Sequence, residues 1–115
     1  MNTIIAGSRT ITDPSTVVQA ITASGWNITR VLSGLAKGVD KLGMDWADRN
    51  GIPVDEYPAH WELEGKRAGY LRNERMAESA DALIAIWDGR SKGTGHMIDI
   101  ARREGLRVFV WEDSE

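Results

Sequence analysis

Five short apolar runs, separated by segments of helical period, constrain the fold of this 115-residue chain more than any other feature. They occupy residues 3–6, 30–32, 53–57, 82–87 and 107–111. Each is rich in Val, Ile, Leu or aromatic residues and is bounded by Gly, Asp or Pro. The runs IIA, ALIAIW and VFVW are near-continuous rather than alternating, which marks strands of a parallel sheet covered on both faces. Four helical segments lie between them. Asp13 followed by Pro14 opens the first, which runs to Ser24 and stops at Gly25. The second spans 38–49, with Val39, Leu42, Trp46 and Ala47 on one stripe, and Gly51 and Pro53 end it. The third covers 66–79. The fourth covers 94–104, with Met97, Ile98 and Ala101 as its apolar stripe.

Strict β-α alternation with right-handed crossovers gives an α/β fold. The expected architecture is a single Rossmann-like, doubly wound, five-stranded parallel sheet of order 3-2-1-4-5, with helices on both faces. The length fits one domain over 1–115, burying about two-thirds of its unfolded surface. In such sheets a ligand binds beyond the carboxyl ends of the strands, where the order reverses between strands 1 and 4.

Composition removes several functions. Fourteen basic against seventeen acidic residues leave a net charge of −3, without the basic bias of a phosphate-backbone binder, so nucleic acid is not the expected partner. With no cysteine, disulfides, thiol nucleophiles and iron–sulfur clusters are excluded, and two histidines are a poor basis for a metal site. No resident cofactor is implied. The chain shows no signal-like start and no apolar stretch of spanning length, so the expectation is a soluble, cytoplasmic protein without a membrane partner. Five tryptophans against one phenylalanine are many for this size. Trp26, Trp46 and Trp61 are candidates for an interface or a stacking surface, and Trp87 and Trp111 for the core. A small domain with so many indoles is expected to form a homo-oligomer, a dimer or higher.

Four loops follow strands on the expected ligand edge. After strand 1, Gly7 permits close backbone approach, Ser8 offers a hydroxyl and Arg9 a planar fork for phosphate or carboxylate. After strand 2, Gly34, Ala36, Lys37 and Gly38 open a helix whose free amides and dipole suit an anion, although the spacing is neither the Walker pattern nor G-x-G-x-x-G. Asp40 in that loop suits either a ribose hydroxyl or the helix N-terminus. In the third segment Lys66, Arg67, Arg72 and Asn73 gather cations and an amide on a net acidic chain. After strand 4, Asp88 precedes Gly93, Thr94 and Gly95, a second candidate phosphate cradle.

The blocks S-G-x-A-x-G-x-D, K-x-A-G-x-x-R-N-x-x-M and W-D-G-x-S-x-G-T occur in this order across residues 3–111. Together they resemble the small YspA-like, YpsA-related SLOG domains. The resemblance implies a Rossmann-like fold within a superfamily that also holds the LOG phosphoribohydrolases and the DNA-processing protein DprA. It implies a ligand of nucleotide kind, often in bacterial or phage conflict. By the same resemblance Gly34, Ala36 and Gly38 match the loop after strand 2, Arg72 matches the active-site arginine of the LOG enzymes, and Gly93 and Thr94 match their Gly-Thr. Two departures bear on chemistry. Asn73 stands where the LOG enzymes place a lysine, and Met97 stands where they place the glutamate of an Arg–Glu pair. A thioether can neither stabilise an oxocarbenium-like sugar nor activate water.

The sequence therefore points to a binder of a nucleotide or ADP-ribose-type signal, acting as sensor or sequestering sponge without turnover. The alternative is a LOG-like nucleotide hydrolase with a substituted carboxylate, for which Arg72 and Asp88 are the catalytic candidates and Asp40 and Asp99 further carboxylates.

Overall fold

The computed structural model describes residues 1–113. Its strands are β1 (Asn2–Gly7), β2 (Arg30–Ser33), β3 (Val54–Glu56), β4 (Ala82–Trp87) and β5 (Arg107–Glu112). Its helices are α1 (Pro14–Ser24), α2 (Val39–Arg49), α3 (Trp61–Glu64), α4 (Ala68–Ser79) and α5 (Lys92–Arg103). The strands form one sheet of order β3-β2-β1-β4-β5, and every neighbouring pair is parallel. This is the Rossmann-like arrangement that the apolar runs imply.

Alternation along the strands explains why those runs are continuous. Ile4 and Ala6 of β1 face one side with Leu83 and Ala85 of β4, where Met76 and Ala77 of α4 and Met97, Ile98 and Ala101 of α5 cover them. Ile5, Ile84 and Ile86 face the other side, under Val17, Ala20 and Ile21 of α1 and Val39 and Ala47 of α2. Central strands buried on both faces need apolar residues at every position. β5 departs from this: its middle residues are only half-buried because the strand lies at the sheet edge.

The first helix starts as its sequence dictates. Asp13 accepts the Ser15 N–H at 2.9 Å, Pro14 sits at the first helical position, and Gly25 ends the helix at φ 68°. Two other boundaries differ from expectation. α5 begins at Lys92 rather than Thr94, with Ser91 as its N-cap residue. The third helical segment is broken: α3 covers Trp61–Glu64, Gly65 turns at φ 60°, a 3₁₀ turn covers Gly65–Arg67, and α4 starts at Ala68. Trp87 and Trp111 pack against the core only in part, and the Trp87 indole N–H donates to the Ser91 carbonyl at 3.0 Å. Among the described residues no helix is long and apolar enough to cross a membrane.

Candidate functional site

The carboxyl ends of β1 and β4 flank the point where strand order reverses. At the end of β1 the chain turns under tight steric control. A Cβ on Gly7 would collide with the Ile86 carbonyl oxygen and crowd Val39. Ser8 is buried, and all of its polar groups bind the scaffold. Its N–H donates to Ile86 O at 3.0 Å, its hydroxyl accepts the Asp88 N–H at 3.0 Å, and its carbonyl accepts the Val39 N–H at 3.3 Å. Ser8 thus joins β1, β4 and α2, and Arg9 follows it to the surface.

The loop after β2 leads into α2. Ser33 Oγ accepts the Leu35 N–H at 3.2 Å, and Leu35 itself takes φ 66°. Gly38 has φ 73°, and a Cβ there would sit 2.5 Å from the Ser8 carbonyl oxygen, so no side chain fits. Asp40, at the second position of α2, is buried and accepts the Ala36 N–H at 3.2 Å. Burial pushes its carboxyl up to about 6, against the opposing pull of the Ala36 amide and of the nearby Arg72 and Arg9 charges.

Arg72 on α4 closes the wall between these loops. Its Nη1 donates to the Gly34 carbonyl and its Nε to Asn73 Oδ1 at 3.0 Å, while its Nη2 has no acceptor among the described residues. Burial lowers the guanidinium from its usual value, and Asp40 opposes that shift. Asn73 carries the link to α5, donating from Nδ2 to the Gly93 carbonyl at 3.3 Å and facing His96 Nδ1 at 3.2 Å. Burial lowers the His96 pKa, which favours the neutral ring that can accept from Asn73.

At the α5 entrance Asp88 binds the turn before the helix. Its Oδ1 accepts the Arg90 and Ser91 N–H groups, each at 2.8 Å, and these amides hold its carboxyl below the usual range. The Gly95 N–H donates to Ser91 O at 3.1 Å. The amides of Lys92, Gly93 and Thr94 have no acceptor among the described residues, as the first turn of a helix requires.

A cleft of about 230 Å³ opens between these elements. It gathers Gly7, Arg9, Ala36 and Asp40 from the first two loops. Lys66, Arg72 and Asn73 join them from the third segment, and Gly93 and Thr94 from the fourth. Gly34 and Lys37 line an adjoining groove of about 380 Å³, which shares Arg9, Ala36, Trp61 and Arg72 with the cleft. Gly38 packs beneath, against the backbone of Ser8 and Arg9. Ser8, Asp88 and Gly95 lie outside the cleft, in the scaffolding roles described above. Tyr70 and Ser91 line it although sequence reasoning did not select them. Tyr70 lies inside the K-x-A-G-x-x-R-N block, and its ring tilts on His96 with centroids 4.2 Å apart. Met97 is buried and lines the cleft. Among the described residues there is no group of three or more His, Cys, Asp or Glu that could hold a metal.

The family described as "YspA, cpYpsA-related SLOG family" matches residues 1–63, slightly more than half of the chain. The chain belongs to that SLOG family. The "Gene 61 protein" of Mycobacterium phage D29 is 33% identical over 120 aligned residues, covering 96% of this chain and 95% of the phage protein. Among solved structures, DNA processing protein A (DprA) from Streptococcus pneumoniae superposes with a TM-score of 0.77 over 95% of this chain at 20% identity, a likeness of fold. The SLOG chain spans about half of that DprA chain, 49%. Family membership points to a nucleotide-related function. The matched region holds the loops after β1 and β2, whereas Arg72, Asn73 and the α5 entrance lie beyond it.

Proposed function

We propose that this SLOG chain binds a nucleotide or an ADP-ribose-type ligand in the β1/β4 cleft and holds it without turnover. The observation that carries the reading is a convergence. Arg9, Arg72 and the acceptor-free first turn of α5 meet in one cavity at the topological switch point. Planar guanidinium groups and helix-terminal amides are complementary to phosphate. Asp40 is the acidic residue of the cleft lining and is an acceptor suited to a sugar hydroxyl.

Two of the groups favour retention without chemistry, and Asp40 is, among the described residues, the one carboxyl of the cleft lining that could oppose it. Met97 occupies the position of the LOG glutamate and cannot act as acid or base. Asp88 lies outside the cleft, with its carboxylate engaged by the Arg90 and Ser91 amides. A domain that retains an intact nucleotide acts as a sensor or as a sponge.

Equilibrium dialysis against AMP, NAD, ADP-ribose and cyclic nucleotides, with both chambers then resolved by HPLC, tests this. Intact ligand retained on the protein side is expected. Converted ligand would establish the hydrolase instead, and absence of retention across the panel would refute the binding reading. Arg72→Ala should weaken binding by roughly 1.5–3 kcal/mol through loss of a charged hydrogen bond. Unchanged affinity would remove Arg72 from the site.

A further inference from the structure

Nucleotides carry a flat base as well as phosphate, and the phosphate-facing groups leave the base without a seat. Most of the aromatic side chains are already engaged. Trp26 meets Phe109 edge-on at 6.2 Å and lies under the Arg107 guanidinium at 5.6 Å. Trp46 and Trp111 pack on the core beneath α1 and α2. Trp87 is tied to Ser91 and lies against Gly95, while Tyr70 has one face on His96. Trp61 differs from these: it is 54% exposed and stands at the wall shared by the cleft and the adjoining groove. Its ring edge and Arg72 Nη2 flank the same residue, Gly69, 3.6 Å and 3.9 Å from that residue's Cβ position.

A second, independent oddity lies in the same groove. Leu35 adopts φ 66°, the one described non-glycine residue with positive φ. A branched apolar side chain in this conformation is strained, and glycine would serve the turn more easily. Leu35 is nonetheless 39% exposed, so it is not held there to fill the core. Strain retained at a ligand-facing position, without a packing reason, is a sign of function. Leu35, Pro58, Ala59 and Trp61 give the groove apolar surface beside the cations Arg9, Lys37 and Arg72.

We propose that this groove is a nucleobase subsite, with the base stacked on Trp61 and bordered by Leu35. The ligand's phosphate then lies across Arg9 and Arg72 in the neighbouring cleft. The proposal rests on the phosphate reading above and narrows it. The ligand class is a base-bearing nucleoside phosphate rather than a bare sugar phosphate. Stacking on an indole tolerates any base, because every base offers a π face.

Titration calorimetry with AMP, ADP-ribose and ribose 5-phosphate separates this claim from the one beneath it, because AMP and ribose 5-phosphate differ by the base alone. The wild-type protein is expected to bind the base-bearing ligands roughly tenfold or more tightly than ribose 5-phosphate. Trp61→Ala and Leu35→Gly should each erase most of that advantage, so that AMP and ribose 5-phosphate bind each variant to nearly the same degree. Leu35→Gly also relieves the backbone, so its thermal midpoint should not fall, which distinguishes a lost contact from a damaged fold. Equal binding of AMP and ribose 5-phosphate, or variants that weaken both alike, would overturn the base subsite while leaving the phosphate cleft intact. If none of the three ligands bound, the cleft reading itself would fall, and the subsite with it.

Discussion

The two helix entrances of the cleft are built from similar residues and are used differently. The α2 entrance reads Gly34-Leu35-Ala36-Lys37-Gly38-Val39-Asp40, and the α5 entrance reads Ser91-Lys92-Gly93-Thr94-Gly95. At α2 the first helical amide donates to Ser8, Gly38 lies against the Ser8 and Arg9 backbone, and the buried Asp40 carboxylate accepts the Ala36 amide, while the Asp40 and Lys41 amides have no acceptor among the described residues. At α5 the capping carboxylate of Asp88 serves the preceding turn, and three amides of the first turn have no acceptor among the described residues. Small residues at a helix start therefore have two meanings. At α2 Gly38 lets the chain pack against itself while Gly34 and Ala36 line the ligand surface, and at α5 Gly93 leaves room in the cleft.

Substitutions at the two entrances should separate these meanings. The largest effect is expected from Gly38→Ala, where positive φ and a Cβ 2.5 Å from a backbone oxygen combine. A loss of roughly 3 kcal/mol or more in urea unfolding is expected, and a variant as stable as wild type would show that the α2 entrance is not packed as described.

Asp40→Asn comes next. Because the folded-state pKa of Asp40 is raised from 3.8 to about 6, its contribution to stability is present below 3.8 and is lost as pH rises through 6. The Asn variant should therefore gain on wild type at pH 8, by at most ~3 kcal/mol, and converge with it near pH 4. A variant less stable at pH 8 would mean that the ionised carboxylate is required to close the α2 entrance.

Gly93→Ala should have the smallest effect on folding. Its Cβ would meet open space, so stability should stay within about 1 kcal/mol of wild type or rise slightly. Nucleotide affinity should still fall, because Gly93 lines the cleft and an added methyl crowds a ligand on the α5 amides. Full affinity in a stable variant would argue that α5 does not carry the phosphate.

The sheet was legible because parallel strands covered on both faces leave continuous apolar runs, as in Ile4-Ile5-Ala6 and in Ala82–Trp87. The parallel sense of the strands followed from β-α alternation, whereas the order 3-2-1-4-5 came from the Rossmann-like expectation, since alternation alone also allows 2-1-3-4-5. The residues of the cleft were legible in part: Arg9, Asp40, Arg72, Gly93 and Thr94 line it, whereas Ser8, Gly38, Asp88 and Gly95 from the same clusters serve the scaffold. The role of Ser8 was not, because the partner of its hydroxyl, the Asp88 amide, is eighty residues away in sequence. Nor was α3, a single turn, W-E-L-E, with no capping side chain and none of its residues buried. The α5 boundary was displaced because Lys92 and Gly93 carry no apolar stripe and Ser91 caps without a side-chain bond. The positive φ of Leu35 contradicts the preference of its residue type, so local propensity could not reveal it.

The most direct test of the account is a backbone-amide NMR titration with AMP and ADP-ribose. The account predicts large shifts at the amides of Lys92, Gly93 and Thr94 beside the phosphate and at Leu35 and Ala36 beside the base, with only minor changes at Val39 and Lys41. Dominant shifts at Val39 and Lys41, or saturation without change at α5, would contradict it.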